Sequence, residues 1–141
     1  MEKSILSPLF IDTAFVIALV NARDKYHAQA QRLAKQYASQ PFLVTDAVLL
    51  EVGNALAQHF RSEAVAIIEQ FLNAPEVEIV HLTPQRFAAA FAFYKKYADK
   101  EWGLVDCISF VVMQERGIRE ALTSDHHFTQ AGFTAVMHTS A

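Results

Sequence analysis

Short, wholly apolar runs alternate along the chain with longer segments in which apolar residues recur every three or four positions. Residues 9–11, Leu-Phe-Ile, lie between Pro8 and Asp12 and predict a buried strand, after which 13–20 reads as a short apolar helix. A turn at 21–24 leads to a helix over 26–37, where Ala30, Leu33, Ala34 and Tyr37 recur at helical spacing and Pro41 follows the end. Residues 42–45 predict a second strand, with Thr45 or Asp46 able to cap a helix from 47 to about 58. Ser62 is the expected cap of a helix over 63–72, and the alternating segment 77–82 predicts a third strand. Thr83-Pro84, a cap followed by proline at the first helical position, starts a helix over 85–97. After a polar loop at 99–103, residues 104–113 carry a single charge, and their length together with Gly117 favours a helix with a glycine stop. A weak fourth strand at 120–123, a helical turn at 126–131 and a final strand at 133–137 complete the pattern.

Strands alternating with helices predict an α/β fold, with a mostly parallel central sheet of four or five short strands and helices on both faces. No repeat or linker interrupts the pattern, and 141 residues suit one domain spanning 1–141. A chain that is 52% hydrophobic and 19% charged, with 4 Gly and 4 Pro, is neither disordered nor fibrous. The lone Cys107 leaves no disulfide framework and points to a reducing compartment. Glu2, Lys3 and Pro8 make a poor leader, and no apolar run reaches the roughly 18 residues of a membrane span, so the cytoplasm is the expected location. At a net charge of -3, Lys95-Lys96 and the Arg116, Arg119 pair are too small to read as a nucleic-acid footprint. Carboxylates gathered around a metal ion would, however, add negative charge that the ion neutralises locally.

Four acids stand in apolar surroundings. Asp12 ends the first strand, at the sheet edge where open parallel α/β sheets bind ligands, although it could equally cap the next helix. Glu51 has no basic residue at helical spacing, so it faces either solvent or a cleft holding a cation. Asp106 is the only charge between Leu104 and Met113, and with Gly103 as cap it takes the third helical position, where the helix dipole alone would favour it. Asp125 follows the fourth strand and on its own reads as a turn or cap residue. Together, Asp12, Glu51, Asp106 and Asp125 suggest one cluster of oxygen ligands for Mg²⁺ or Mn²⁺, and hence phosphoryl chemistry.

The blocks Phe10-Ile11-Asp12-Thr13, Leu49-Leu50-Glu51-Val52-Gly53-Asn54, Leu104-Val105-Asp106-Cys107-Ile108-Ser109-Phe110 and the run from Thr123-Ser124-Asp125-His126-His127-Phe128 to Ala131-Gly132-Phe133 resemble PIN-domain proteins. The likeness is to the ribonuclease toxins of VapBC toxin-antitoxin pairs and covers nearly the whole chain. It implies a three-layer α/β/α fold, an acidic metal pocket formed by Asp12, Glu51, Asp106 and Asp125, endoribonuclease activity with Mg²⁺ or Mn²⁺, an RNA substrate, a small antitoxin partner and a homodimer. One departure is Gly103, where the family often carries Ser, Thr or Asn, whose side chain caps the helix better than glycine. Thr13 could place a hydroxyl beside the site, and Asp99 is an optional outer acid.

Other chemistries fit the residues less well. A phosphatase using an aspartyl nucleophile would want a second Asp where Ala14 stands, and a phosphoacceptor receiver would want a lysine later than Lys100. Neither Ser109 nor Ser124 lies in a nucleophile-elbow setting, and no glycine-rich loop follows the first strand. His126 and His127 cannot complete a zinc site alone, and His127 is expected to pack or hydrogen-bond near the last strand. The alternative from another class is a catalytically weak or inactive interaction module, offering helix 13–20 and the aromatic segment Phe87, Phe91, Phe93, Tyr94, Tyr97 to a partner.

Overall fold

A computed structural model describes residues 7–139; Glu2 and Lys3, on which the leader argument rests, lie outside them. Five strands, β1 (Leu9–Ile11), β2 (Phe42–Thr45), β3 (Val77–Val80), β4 (Glu120–Leu122) and β5 (Thr134–Ala135), form one sheet in the order β3-β2-β1-β4-β5. Every neighbouring pair is parallel. Helices α1 (Thr13–Val20) and α2 (His27–Gln36) join β1 to β2, and α3 (Asp46–Ala55) and α4 (Arg61–Asn73) join β2 to β3. The return to β4 runs through α5 (Pro84–Lys96) and α6 (Leu104–Arg116), and α7 (His126–Gln130) leads to β5 and a last helical turn, α8 (Val136–Thr139).

The order of the strands puts helices on both faces. From β1 the chain builds the sheet in one direction to β3, then crosses back to lay β4 on the other side of β1. Because parallel crossovers are right-handed, reversing the direction of travel moves the connecting helices to the opposite face. Side chains of the central strand record this, since successive residues of a strand point to opposite sides. Ile11 lines a groove with Phe15 and Leu19 of α1 and Ile67 and Phe71 of α4. Phe10 instead faces Phe128 of α7, with ring centroids 6.2 Å apart. On that same face Phe110 of α6 is fully buried, with the rings of Phe128 at 5.0 Å, Trp102 at 5.1 Å and Phe133 at 5.7 Å.

Local signals set most boundaries. Thr45 and Thr83 each accept a hydrogen bond from the backbone N–H three residues on, at 3.1 Å, and Gly117 ends α6 in the left-handed region at φ 65°. Four expectations change. Ser62 is not a cap: α4 starts at Arg61, Phe60 holds the cap position without a side-chain bond, and the Ser62 hydroxyl donates to Glu63. α3 ends at Ala55 rather than near 58, and β3 ends at Val80 rather than 82. The final strand expected over 133–137 is only Thr134–Ala135, after which Val136 and Met137 are buried as part of a helical turn. A short run of buried residues looks alike as strand or as turn, so hydrophobicity alone could not place that end. On α5, Phe93 stacks on Trp102 and Tyr97 meets it at a tilt, whereas Phe87, Phe91 and Tyr94 stay exposed.

Truncating Phe110 to Ala should destabilise the protein by about 3–5 kcal/mol in urea unfolding, since it empties the centre of the ring cluster beneath α6. A loss below about 1 kcal/mol would show that the cluster does not hold α6 to the sheet.

Candidate active site

The reversal in strand order falls between β1 and β4, and the crevice at such a switch point is where α/β sheets present their functional groups. Asp12 leaves β1 here, its backbone N–H donating to Leu122 O at the end of β4. It is 4% exposed. Although it occupies the cap position of α1, its side chain makes no capping hydrogen bond, so the cap reading fails for this residue. Instead its Oδ2 accepts from the hydroxyl of Thr123, a fully buried residue, at 2.8 Å. The Thr123 oxygen in turn accepts from the backbone N–H of Asp125 at 3.0 Å. One hydroxyl therefore ties the first acid to the loop that carries the fourth.

Asp106 and Asp125 both combine a local role with a place in the cluster. Asp106, at the third position of α6, accepts from the Gly103 N–H at 3.2 Å, and Asp125 caps α7 by accepting from the His127 N–H at 2.9 Å. The imidazole of His127 links them, with Nδ1 3.0 Å from Asp106 Oδ2 and 3.3 Å from Asp125 Oδ1. His127, expected to pack or hydrogen-bond near the last strand, does hydrogen-bond, and its partners are the acids of the cluster. Glu51 joins differently: it is exposed on α3, and Thr13, the residue after Asp12, donates its hydroxyl to Glu51 Oε1 at 2.5 Å. Asp12, Asp106 and Asp125 act on one another electrostatically, while Glu51 stands at the rim. Asp99 remains outside, paired with Lys100 at 3.6 Å.

The electrostatics follow from burial. Desolvation, opposed by the Thr123 hydrogen bond and reinforced by the charges of Asp106 and Asp125, pushes the Asp12 carboxyl up to about 7. Burial likewise raises Asp106, with the His127 hydrogen bond pulling against it and Asp125 adding to it. Among the described residues, no Lys or Arg is one of the groups acting on either acid. Among the described residues, Asp125, His126 and His127 can bring one ligand atom each within 4.8 Å of one another, a set able to hold a divalent cation; Asp106 adjoins it through His127 Nδ1 and Asp12 through Thr123. Cys107, in contrast, is buried with its thiol pushed up to about 11, which leaves it no role as a nucleophile.

Thr123 and His127 are the members that sequence reasoning did not place in the site. Their signal is the block Thr123-Ser124-Asp125-His126-His127-Phe128, where they stand two residues before and two after Asp125, and neither position states its partner without the fold.

A carboxyl raised by folding binds its proton more tightly in the native state than in the unfolded one, so native stability falls as pH rises between the two values. In EDTA the wild type should lose stability relative to Asp12→Asn as pH rises from about 4 to about 7, and the difference should level off above that. The roughly three pH units involved bound the effect at about 4 kcal/mol. Asparagine keeps an acceptor for Thr123, so urea unfolding across that range isolates the charge. Parallel curves for the two proteins would contradict the burial of a frustrated carboxylate at this position.

Comparison with known proteins agrees with this architecture. The model of the PIN domain family matches residues 9–134. The 23S rRNA-specific endonuclease VapC20 of Mycobacterium tuberculosis, in strains H37Rv and CDC 1551, is 32% identical over 130 residues, which cover 91% of this chain and 97% of VapC20. The crystal structure of M. tuberculosis VapC20, described as a sarcin-ricin loop cleaving toxin, superposes with a TM-score of 0.80 at 30% identity, covering 89% of this chain and 96% of that one. With its parallel five-stranded sheet and with acids gathered where the strand order reverses, this chain belongs to the PIN domain family.

Proposed function

We propose that this chain is a divalent-metal-dependent endoribonuclease, a single nuclease domain over residues 1–141 that serves in the cytoplasm as the toxin of a toxin-antitoxin pair. The observation that carries the reading is that the charges of Asp106 and Asp125 act on the buried Asp12, with no Lys or Arg among the described residues acting on Asp12 or Asp106. Likeness to VapC20 supplies the substrate class, RNA, with a structured ribosomal loop as the first candidate.

Asp12, Asp106 and Asp125 would hold Mg²⁺ or Mn²⁺, with Glu51 completing the set from the rim. When bound, the cation would polarise the scissile phosphate, lower the pKa of an attacking water and stabilise the leaving oxygen. The chain's own part is orientation: Thr123 fixes Asp12, Gly103 and His127 fix Asp106, and Thr13 fixes Glu51. Oxygens held in advance lose little freedom when a cation or phosphate arrives. Asp12 must also release its proton to act as a ligand, so metal affinity should rise with pH through about 7.

The same reading includes a homodimer and an antitoxin. Supporting them are the exposed Phe87, Phe91 and Tyr94 on α5, and the apolar groove of about 220 Å³ between α1, α2 and α4.

Purified protein should cleave RNA when Mg²⁺ or Mn²⁺ is supplied, and Asp12→Asn or Asp106→Asn should lower the rate by at least about a hundredfold. Gel assays on total RNA and on isolated ribosomal RNA read this directly. Undiminished cleavage in excess EDTA would overturn the metal mechanism, and full activity in both variants would overturn the assignment of the acids.

A further inference from the structure

The acidic crevice holds one group that an all-oxygen magnesium site does not require. The His127 ring is 19% exposed, and its Nδ1 faces Asp106 Oδ2 at 3.0 Å and Asp125 Oδ1 at 3.3 Å. Its backbone N–H donates to that same Asp125 oxygen at 2.9 Å, so main chain and ring are both registered against one carboxylate. With a proton on Nδ1, the ring donates between two like charges. The spacing also suits adjacent ligands of one cation. Bonds of about 2.1 Å set neighbouring donors roughly 3.0 Å apart in an octahedral arrangement and roughly 3.4 Å apart in a tetrahedral one. His126 lacks this registration: its side chain is 69% exposed and its Nδ1 is 3.9 Å from Asp125.

We propose that His127 is a direct nitrogen ligand of the cation bound by Asp106 and Asp125, and that it makes the site select Mn²⁺ over Mg²⁺. This rests on the metal-dependent reading above and names what that reading leaves open, the kind of ion. Mg²⁺ takes oxygen ligands and keeps its waters, whereas imidazole is a ligand of first-row transition ions. Binding through Nδ1 needs its lone pair, so the single proton of the neutral ring passes to Nε2 by exchange with solvent and no charge changes. His127 also lines a polar cleft of about 260 Å³ with Asp99, Lys100, Glu101, His126 and Gln130. Ligating histidines commonly donate their other N–H to a carboxylate.

The test is calorimetric titration of the full chain with Mn²⁺ and with Mg²⁺, near neutral pH, for wild type, His127→Gln and His126→Gln. Wild type should bind Mn²⁺ at least about tenfold more tightly than Mg²⁺. His127→Gln should weaken Mn²⁺ binding about 10–100-fold and leave Mg²⁺ binding within about threefold, and His126→Gln should change neither. Pulsed EPR of the Mn²⁺ complex should show a directly bonded nitrogen in wild type and His126→Gln and none in His127→Gln. The wild-type spectrum decides the matter even if the variant fails to fold. Absence of nitrogen coupling in wild type, or equal loss of both metals in His127→Gln, would overturn the proposal while leaving the metal-dependent reading intact. Failure of wild type to bind either ion would overturn both.

Discussion

Asp12 is a carboxylate taken almost wholly out of water, with two further carboxylates acting on it and, among the described residues, no Lys or Arg acting to offset them. Much of the surrounding structure is arranged around that cost. A buried charge is tolerated when it is hydrogen-bonded or when it changes protonation state, and both occur here. The Thr123 hydroxyl supplies the hydrogen bond, and the raised carboxyl value supplies the proton. The acids are brought together because the sheet reverses direction beside β1, which sets the ends of β1 and β4 side by side and aims the start of α6 at the same crevice. A rigid core stands underneath, where Phe110 and Phe128 lock α6 and α7 over Phe10.

The parallel α/β fold was legible because the two periodicities are well separated in this chain. Runs of three or four β-friendly residues between helical stretches leave few alternatives, and Thr45, Thr83-Pro84 and Gly117 mark helix ends by chemistry that acts locally. Legibility failed where burial is continuous and local signals are absent. Val136 and Met137 are buried in a helical turn although their composition suits a strand, and α4 begins at Arg61 without any capping side chain. The aromatic segment on α5 divides in a way that composition could not show, Phe93 and Tyr97 inward, Phe87, Phe91 and Tyr94 outward.

The site was legible as a set of residues and much less as a network. Isolated acids in apolar settings could be picked out singly; in the fold Asp106 and Asp125 share the His127 ring, and the charges of both act on Asp12. What the sequence left open was whether a given acid was a cap or a cluster member, and for Asp125 and Asp106 the two roles coexist in one side chain. Glu51 shows the limit most clearly, because its link to Asp12 runs through the neighbouring Thr13 and depends on how α1 packs against α3. Thr123 and His127 are partners in space, separated from Asp12 by 111 residues and from Asp106 by 21.

The central claim is that Asp106 belongs to a shared, charge-frustrated cluster and is more than a helix-end carboxylate. Urea unfolding of wild type and Asp106→Asn, near neutral pH, in EDTA and in millimolar Mn²⁺, tests it most directly. A shared cluster predicts that the variant is at least as stable as wild type without metal, because a repulsive charge has gone, and that most of the metal-induced stabilisation of wild type is absent from the variant. A variant less stable by the roughly 0.3–1 kcal/mol of a lost helix-dipole interaction, yet gaining as much from metal as wild type does, would contradict it.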